Sequence, residues 1–293
     1  GSAYELLWRP LLEAKFGPAA DEVVMAWLVA RIRQRAGSRS AGGDQLGSLR
    51  GSLGRLAEAF AEEVRTSGVE VVTSARVSNL RQDGERWVVE YGLEGETVTR
   101  TADAVVGALA GPVLSRIVDL PADYRAKVEA IPYRGIVCLL LELDRPLSGS
   151  YWVNVTDRIG LGCVGIIEHT NFIPAERYGG RSLVYLAHYV GREDPAWSAS
   201  AEALIEAAEP SLHALQPAFE RDWIVETHDN RDPFAQPIPV VGGPMATLPT
   251  ATGLPGLFHA SLAHVYPHDR GVAKAIELGR RVADDVDGYL AAR

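Results

Sequence analysis

The stretch GLPGLFHASLAHVYPHDRGVAKAIELGRRVADDV, residues 253–286, decides the fold. Its opening, LPGLFHASL, predicts a short strand. The motif YPHDRG predicts a loop that closes on Gly271, and the apolar spacing after it predicts a helix over about 271–291. Taken alone, GVAKAIELGRR is typical of an ordinary amphipathic helix. Two blocks upstream make the interpretation more specific.

The first block is LRGSLGRLAEAFAEEVRTSGVEVVTSARVSNLRQDGERWVVEYG, residues 49–92. Ser52 can cap a helix that runs through Arg65 with its apolar residues on one face, and strands follow at VEVVTSARVSNL and ERWVVEYGL. The second block is TADAVVGALAGPVLSRIV, residues 101–118. Its first half continues a strand, ETVTRTADAVVGAL, and GPVLSRIV predicts a short helix.

The rest of the chain alternates between helical and strand-like runs. Residues 36–51 are rich in Gly and Ser and predict a loop, and Pro210 is expected to kink or divide the helix at 199–215. Residues 233–256 are rich in Pro and Gly and predict irregular structure. Further helices are predicted at 4–35 and 122–131, and strands at RGIVCLLLELD, SYWVNVTD, GCVGIIEHT, SLVYLAHYV and DWIVETHDNRD.

Composition excludes several classes of protein. The 293 residues carry a net charge of −9, from 29 basic and 38 acidic residues. The basic residues do not cluster into a stripe, so nucleic-acid binding is not expected. No apolar run has the roughly 20 residues of a membrane-spanning helix, and we expect a cytoplasmic protein. Cys138 and Cys163 lie in apolar runs and are interpreted as free thiols in a reducing compartment. Two isolated cysteines without a histidine pair predict no metal site.

One misleading glycine motif has the spacing of a dinucleotide site without the structural context that such a site needs. Gly160-Leu161-Gly162-Cys163-Val164-Gly165 has the G-x-G-x-x-G spacing of a dinucleotide site. That motif binds pyrophosphate only where it ends a strand and opens a helix whose amides face the phosphate. Here the strand-like run IIEHT follows. We therefore interpret 160–165 as a turn between two strands.

The order of the three blocks resembles the superfamily of flavin-containing amine oxidases, protoporphyrinogen oxidases and phytoene desaturases. The phrases ELLWRPLLEAKFG, IPYRGIVCLLLELDRPLS, IEHTNFIP and PFAQPIP are similar to a bacterial, protoporphyrinogen-oxidase-like branch. The resemblance implies a mixed α/β fold: a remnant of a Rossmann-like FAD-binding domain and a substrate domain with a mixed sheet covered by helices. The implied parts are 4–50 (helical part of the substrate domain), 51–118 with 251–293 (partial FAD-binding domain) and 119–250 (substrate-binding domain).

The resemblance also implies cofactor contacts. Val77 matches the position that holds the adenine, and Ala108 and Ala110 match the strand end beside the ribityl chain. Arg270, Gly271 and Val272 match the helix start that faces the flavin and its phosphates, where free amides carry partial positive charge. Two departures are expected. Ala260-Ser261-Leu262 replaces the family's Ala-Gly-acid, and the N-terminal βαβ unit with its G-x-G-x-x-G is missing.

For catalysis the substrate region offers Glu168, His169 and His188, and for substrate binding Asn171, Tyr185 and Tyr266. If IIEHT is a strand, Glu168 and His169 point to opposite faces. Each histidine can equally be a hydrogen-bonded structural group. The aromatic residues of this region line either a core or a cavity for a bulky substrate: Tyr151, Trp152, Phe172, Tyr178, Tyr185 and Tyr189.

Three functions stay open at this point. The chain can be most of an FAD-dependent oxidoreductase that oxidises a bulky organic substrate by hydride transfer, with its N-terminal FAD-binding segment absent or on a separate chain. It can be a flavin-free descendant that isomerises, cyclises or binds a ligand. It can also be an interaction subunit, or a homo-oligomer, whose exposed strand edge is covered by a partner.

Overall fold

The computed structural model describes residues 4–37, 39–40, 43–44, 47–155 and 161–293. The α-helices are α1 (Arg9–Phe16), α2 (Met25–Gly37), α3 (Ser52–Thr66), α4 (Gly111–Ile117), α5 (Ala122–Glu129), α6 (Pro195–Ser198), α7 (Ala201–Leu215) and α8 (Val272–Ala291). The strands are β1 (Arg39–Ser40), β2 (Gly43–Asp44), β3 (Arg76–Asp83), β4 (Arg86–Leu93), β5 (Glu96–Ala102), β6 (Val105–Gly107), β7 (Tyr133–Leu143), β8 (Trp152–Asn154), β9 (Gly165–Glu168), β10 (Ser182–Val190), β11 (Ile224–Pro237) and β12 (Leu257–His259). Short segments of other helix types include Tyr4–Trp8, Gly17–Glu22, His169–Asn171, Ala175–Tyr178 and Leu262–Val265.

The chain divides into two compact units. The first, called the sheet unit here, combines Gly1–Val24 with Pro132–Val241. The second, called the parallel-pair unit, combines Met25–Ile131 with Gly242–Arg293. These bounds differ from the predicted ones, since the predicted part 4–50 is shared between both units. The assignment of one unit to flavin and the other to substrate stays a prediction.

The sheet unit is built on five strands in the order β11-β7-β10-β9-β8. All its strand pairs are antiparallel, so the sheet predicted as mixed is antiparallel throughout. One face packs against α7. The core on that face joins alternate residues of β7 and β10 to the apolar stripe of α7; among them are Val137, Leu139, Leu141, Val184, Leu186, Leu204, Ala208 and Leu212.

The parallel-pair unit holds a three-stranded antiparallel meander, β3-β4-β5, and the parallel pair β6-β12. Trp87 of β4 is buried and its Nε1 donates to the Pro255 carbonyl at 2.9 Å, just ahead of β12. This hydrogen bond therefore ties the meander to the segment that leads into β12. Around Trp87 a cluster gathers residues from α4, α5 and β12; its buried members include Leu80, Leu114, Val118, Tyr124, Val128 and Leu257.

Most predicted helices are confirmed, and two strands differ from prediction. The run VEVVTSARVSNL pairs only from Arg76 onward, because residues 69–75 find no strand neighbour among the described residues. The run ETVTRTADAVVGAL contains two strands, β5 and β6, that belong to different sheets. Between β5 and β6 the chain passes from one sheet to another. This depends on distant segments, which the local periodicity of the sequence does not reveal.

Three further predictions needed correction. The strand in GCVGIIEHT ends at Glu168, and His169–Asn171 form a 3₁₀ turn. Helix α7 continues through Pro210 to Leu215, so the proline does not divide it. Strand β11 extends to Pro237 into the stretch predicted as irregular. At an edge strand a proline costs no ladder hydrogen bond on its solvent side.

Other predictions lie partly outside the described residues. Of the misleading glycine motif, residues 161–165 are described, and Gly165 opens strand β9 rather than a helix. This confirms that the motif is not a phosphate loop. Of the predicted loop 36–51, the described part contains a two-residue ladder between β1 and β2. Residues 156–157 of the run SYWVNVTD are not described.

Both cysteines are free thiols, as predicted. Cys163 is buried and Cys138 is half-buried, and burial raises the pKa of Cys138. Among the described helices, none combines the length and apolar character needed to cross a bilayer.

Gly111 tests the packing of α4 on α5. A Cβ at Gly111 would lie 2.6 Å from Val128 Cβ, so Gly111→Ala should lower the free energy of unfolding by about 1–3 kcal/mol. Gly279 in α8 is the matched control, since a Cβ there meets nothing within 4 Å. Gly279→Ala should instead stabilise the protein by up to about 1 kcal/mol. Urea unfolding of both variants checks the opposite signs, and equal effects would contradict them.

Candidate functional site

The carboxyl ends of β6 and β12 lie side by side in the parallel-pair unit. Gly107 pairs with His259, and the Ala260 amide donates to the Gly107 carbonyl at 3.1 Å. Both strands therefore release their following loops, 108–110 and 260–271, at one edge. In open parallel sheets this is the edge at which ligands bind.

A buried hydrogen-bond network ties the two loops together. His259 is fully buried, and its Nε2 lies 2.8 Å from the Leu109 carbonyl. Its Nδ1 lies 2.9 Å from the Tyr124 hydroxyl of α5. A neutral His259 with its proton on Nε2 donates to the Leu109 carbonyl. Its Nδ1 then shares the single Tyr124 hydroxyl proton with the Pro249 carbonyl, which lies 3.0 Å from that hydroxyl.

A second histidine continues the network beyond β12. The Ser261 amide donates to His264 Nδ1 at 3.1 Å, and the Ser261 hydroxyl is 3.0 Å from the same atom. His264 Nε2 lies 3.1 Å from the Pro249 carbonyl. A neutral His264 with its proton on Nε2 closes these contacts. Ser261, which stands at the glycine position just before the expected acid, is thus engaged in capping the turn Leu262–Val265, and Leu262 occupies the acid's position.

Burial sets the charge of the two imidazoles. The rings of His259 and His264 meet edge to face with centroids 4.7 Å apart. Burial, with His259 beside it, lowers the pKa of His264 to about 4. Burial also lowers the pKa of His259. Both rings are therefore neutral near pH 7, and for His264 the hydrogen bond that Nδ1 accepts from the Ser261 amide requires this form.

Helix α8 begins with an open N-terminus. Gly271 has an extended backbone (φ 174°), makes no side-chain cap, and leaves nothing within 4 Å of where a Cβ would lie. Gly271 and Val272 are exposed, and Arg270 directly precedes them. The first-turn amides of a helix have no intrahelical acceptor. Free amides beside a guanidinium are the donor set that a phosphate requires, so these residues fit the diphosphate part of a dinucleotide such as FAD.

The remaining predicted cofactor residues lie at separate places in the same unit. Ala108 is exposed and Ala110 half-buried at the end of β6, where Ala110 precedes α4. The network around His259 holds this strand end. Val77 lies in the meander, paired with Tyr91 just before a bulge in the β3–β4 ladder.

A groove of about 760 Å³ lies in the parallel-pair unit between the segment before β12 and one side of α8. Tyr266, predicted to bind substrate, lines it together with His264 and the α8 residues Arg281 and Asp285. Asp285 accepts from the Thr250 hydroxyl at 2.7 Å. The groove has the volume typical of a small-molecule site.

The sheet unit has one face that the α7 core does not use, called the open face here. One row crosses all five strands on it: His228, Leu140, Tyr185, Ile167 and Trp152 are successive cross-strand neighbours. Their side chains are half-buried or exposed. The open face therefore offers aromatic and apolar contacts to a bulky ligand.

Glu168, predicted as catalytic, is held by four donors. Its carboxylate accepts from the backbone amides of Leu147 at 2.9 Å and Ser148 at 2.6 Å. The hydroxyls of Ser148 and Ser182 donate to it at 3.0 and 2.7 Å. A fully buried carboxylate bonded this way serves to fix the 147–150 loop.

The other predicted catalytic residues lie apart from it. His188 is fully buried on the core face, with Nδ1 3.3 Å from the Val137 carbonyl. His169 is half-buried, with Nε2 2.8 Å from the Tyr178 hydroxyl, and its ring meets that of Tyr185 at 6.3 Å. Burial lowers the pKa of His169. The structure thus joins His169 to Tyr185 on the open face and leaves Glu168 and His188 in the interior.

Asn171, predicted to bind substrate, bonds to the same loop as Glu168. Its Nδ2 donates to the carbonyls of Ser148 at 3.0 Å and Ser150 at 3.1 Å. Sequence reasoning missed the groups around His259 and His264. The five-residue spacing of the two histidines was a visible signal, whereas Tyr124 lies 135 positions from His259 and gave none.

Comparison with known proteins identifies the family of the chain. The family model described as flavin containing amine oxidoreductase matches residues 6–287. No curated protein sequence matches the chain.

Three solved structures are similar in fold. A protoporphyrinogen oxidase candidate from Exiguobacterium sp. 255-15 has a TM-score of 0.71 at 14% identity, covering 98% of this chain and 64% of its own. A triple mutant of putrescine oxidase has a TM-score of 0.61 at 18% identity, covering 81% and 53%. Reduced UDP-galactopyranose mutase has a TM-score of 0.62 at 14% identity, covering 84% and 55%. The chain therefore spans less than two thirds of the length of each.

Glu168→Gln tests the role of the buried carboxylate. The amide NH₂ would face backbone and hydroxyl donors, so the free energy of unfolding should fall by about 1–3 kcal/mol. Glu176→Gln, an exposed change nearby, should leave it unchanged. Denaturant unfolding of the two variants decides the point. Wild-type stability in Glu168→Gln would restore the catalytic interpretation.

The neutral histidine pair predicts acid sensitivity. The folded pKa of His264 is about 4 and the unfolded value about 6.5, so the unfolded chain binds the extra proton. The contribution to stability is full above about pH 6.5 and is lost as the pH falls toward about 4. For His264 the loss should be about 2 kcal/mol between about pH 7.5 and about pH 5.

Urea unfolding at both pH values measures this loss. His264→Gln should reduce the pH-dependent loss by at least about half, whereas the exposed His268→Gln should leave it as in the wild type. Identical pH dependence in all three proteins would show that the buried pair does not titrate on unfolding.

Proposed function

Because the chain belongs to the family of flavin containing amine oxidoreductases, we propose that it forms the major part of an FAD-dependent oxidoreductase that oxidises a bulky organic substrate by hydride transfer. The observation that carries this proposal is the edge where β6 and β12 end together in the unit that also contains the open N-terminus of α8. FAD, when bound, supplies the oxidant, and the protein supplies binding and orientation.

The parallel-pair unit would hold the cofactor. The amides that start α8, with Arg270 beside them, would bind phosphate, and Ala108 and Ala110 would lie along the ribityl side. The His259–Leu109 hydrogen bond keeps the two strand-end loops in register, which a shared ligand requires. Val77 would contribute backbone contacts to the adenine.

The sheet unit would meet the substrate. Tyr185 and Trp152 on the open face offer flat apolar surfaces, and His169 adds a polar group beside Tyr185. A lowered pKa keeps His169 neutral near pH 7, so its imidazole can accept a proton from a substrate amine or hydroxyl. Tyr266 in the groove is the further substrate contact that we propose.

We also propose a partner for the parallel-pair unit: a βαβ segment carrying G-x-G-x-x-G, in the same polypeptide or on another chain. Among the described residues, β6 has a strand neighbour only on its β12 side, and Val106 on it is 43% exposed. Parallel sheets are normally larger and covered on both faces. Helix α3 buries none of its residues, although Leu53 and Phe60 are apolar.

The segment 69–72 supports the same partner. Val69, Val71 and Val72 are exposed in a β-branched run that pairs with no strand in the part of the chain that the structure describes. Such a run suits the edge position of a sheet that a further strand would complete. A homo-oligomer that covers these surfaces is the alternative occupant, and size-exclusion chromatography with light scattering separates the two.

FAD retention tests the function. The chain should keep about one FAD through desalting when the βαβ segment is supplied in trans or by fusion. Gly271→Asp should then weaken FAD binding by about tenfold or more, because the carboxylate repels phosphate at the helix start. The same change should not lower stability, because the site has room for the side chain and Asp is a favourable cap.

Gly149→Asp is the matched control, with the same added charge at another open position. It should leave FAD binding unchanged. If no combination of chain and segment retains FAD, the proposed function is wrong. Retention that Gly271→Asp does not weaken would overturn the α8 phosphate site alone.

A second function is favoured by one observation. Leu262 occupies the place of the expected acid, and its side chain has no polar group, so one cofactor ligand of the family is absent. A flavin-free descendant that isomerises, cyclises or binds a ligand would not need this acid. Reduced UDP-galactopyranose mutase is among the structures with a similar fold. Such a protein is monodisperse without flavin and binds no FAD in any of the mixtures above.

A further inference from the structure

Three metal-ligating side chains meet at one edge of the five-stranded sheet. Glu142 on β7 and Glu226 and His228 on β11 place one ligand atom each within 4.8 Å of one another. His228 Nε2 lies 3.1 Å from Glu142 Oε1, and His228 Nδ1 lies 3.8 Å from Glu226 Oε1. The cluster is solvent-accessible, with Glu226 exposed and the other two residues half-buried.

A β-bulge creates the cluster. The β7–β11 register shifts between Ile224, which pairs with Leu143, and Glu226, which pairs with Glu142. Val225 is the extra residue. In a regular ladder Glu226 would oppose Leu141, whose side chain is buried in the core. The bulge turns Glu226 to the open face instead, and His228 follows because alternate residues share a face.

The arrangement places like charges opposite one another. Glu142 and Glu226 are direct cross-strand neighbours, and two carboxylates in that relation repel. A positive charge between them removes the repulsion. His228, two residues further along β11, faces both carboxylates and completes a mixed set of two oxygen donors and one nitrogen donor.

We propose that Glu142, Glu226 and His228 bind a divalent cation of the zinc class. Imidazole and carboxylate are common ligands of Zn²⁺, whereas Mg²⁺ and Ca²⁺ prefer oxygen ligands. Three protein ligands leave a fourth position for water or for another ligand at the open face. The cation would link the edge strand β11 to β7 across the bulge. This site is independent of the proposed flavin chemistry.

Isothermal titration calorimetry with Zn²⁺, in a non-chelating buffer, tests the site. One Zn²⁺ per chain should bind with a Kd on the order of 10 µM or lower, and Mg²⁺ at the same concentration should not compete. Glu142→Gln, Glu226→Gln and His228→Gln keep side-chain size, and each should weaken Zn²⁺ binding by about tenfold or more. Saturating Zn²⁺ should also raise the Tm of the wild type and of no ligand variant.

Two controls separate the site from other donors. His213→Gln removes an exposed histidine of the same unit, and Cys138→Ser removes the half-buried thiol. Both should bind Zn²⁺ like the wild type, with circular dichroism showing that every variant is folded. Binding that is unsaturable, that survives Glu226→Gln and His228→Gln, or that is lost in either control would overturn the proposal. His228 would then be a bridge between the carboxylates without a metal.

Discussion

The hydrogen bond from His259 to the Leu109 carbonyl is the constraint on which the parallel-pair unit depends. It joins the ends of two strands that lie about 150 residues apart in the chain. Since His259 is fully buried, a broken bond there would leave a polar group without solvent, which costs about 1–3 kcal/mol. Tyr124 and the Pro249 carbonyl extend the same network, so α5 and the segment before β12 are placed by the same few groups.

The sheet unit satisfies its buried charge by a different means. Glu168 is kept in the interior by two backbone amides and two hydroxyls rather than by a counter-ion. Its negative charge is stabilised by these four donors, three of which belong to the 147–150 loop that it fixes. Helix α7 covers one face of the sheet, and the other face keeps Tyr185, His169 and the mixed cluster at Glu142 accessible. Core and candidate site thus use opposite sides of the same strands.

Short-range sequence patterns predicted those features that depend on neighbouring residues. The helix start at Gly271 and the strand, not helix, after the glycine motif both followed from short-range sequence, and both are confirmed. Two strand predictions failed for one cause. The run at 69–75 has strand composition without a strand partner among the described residues, and ETVTRTADAVVGAL divides into β5 and β6, which belong to different sheets. Pairing and register are set by distant segments, so a single sequence does not reveal them.

The distribution of charge distinguishes the ligands of the two units. In the motif YPHDRG, the buried Asp269 lies 3.6 Å from the Arg31 guanidinium, which offsets its charge. Arg270 and the N-terminal amides of α8 lie at that end of the helix, and Leu262 stands where the family's acid is expected. The helix start therefore favours an anion such as a phosphate. The cluster of Glu142, Glu226 and His228 has the opposite sign and favours a cation. The two proposed sites therefore differ in the sign of their charge, which favours an anion in one unit and a cation in the other.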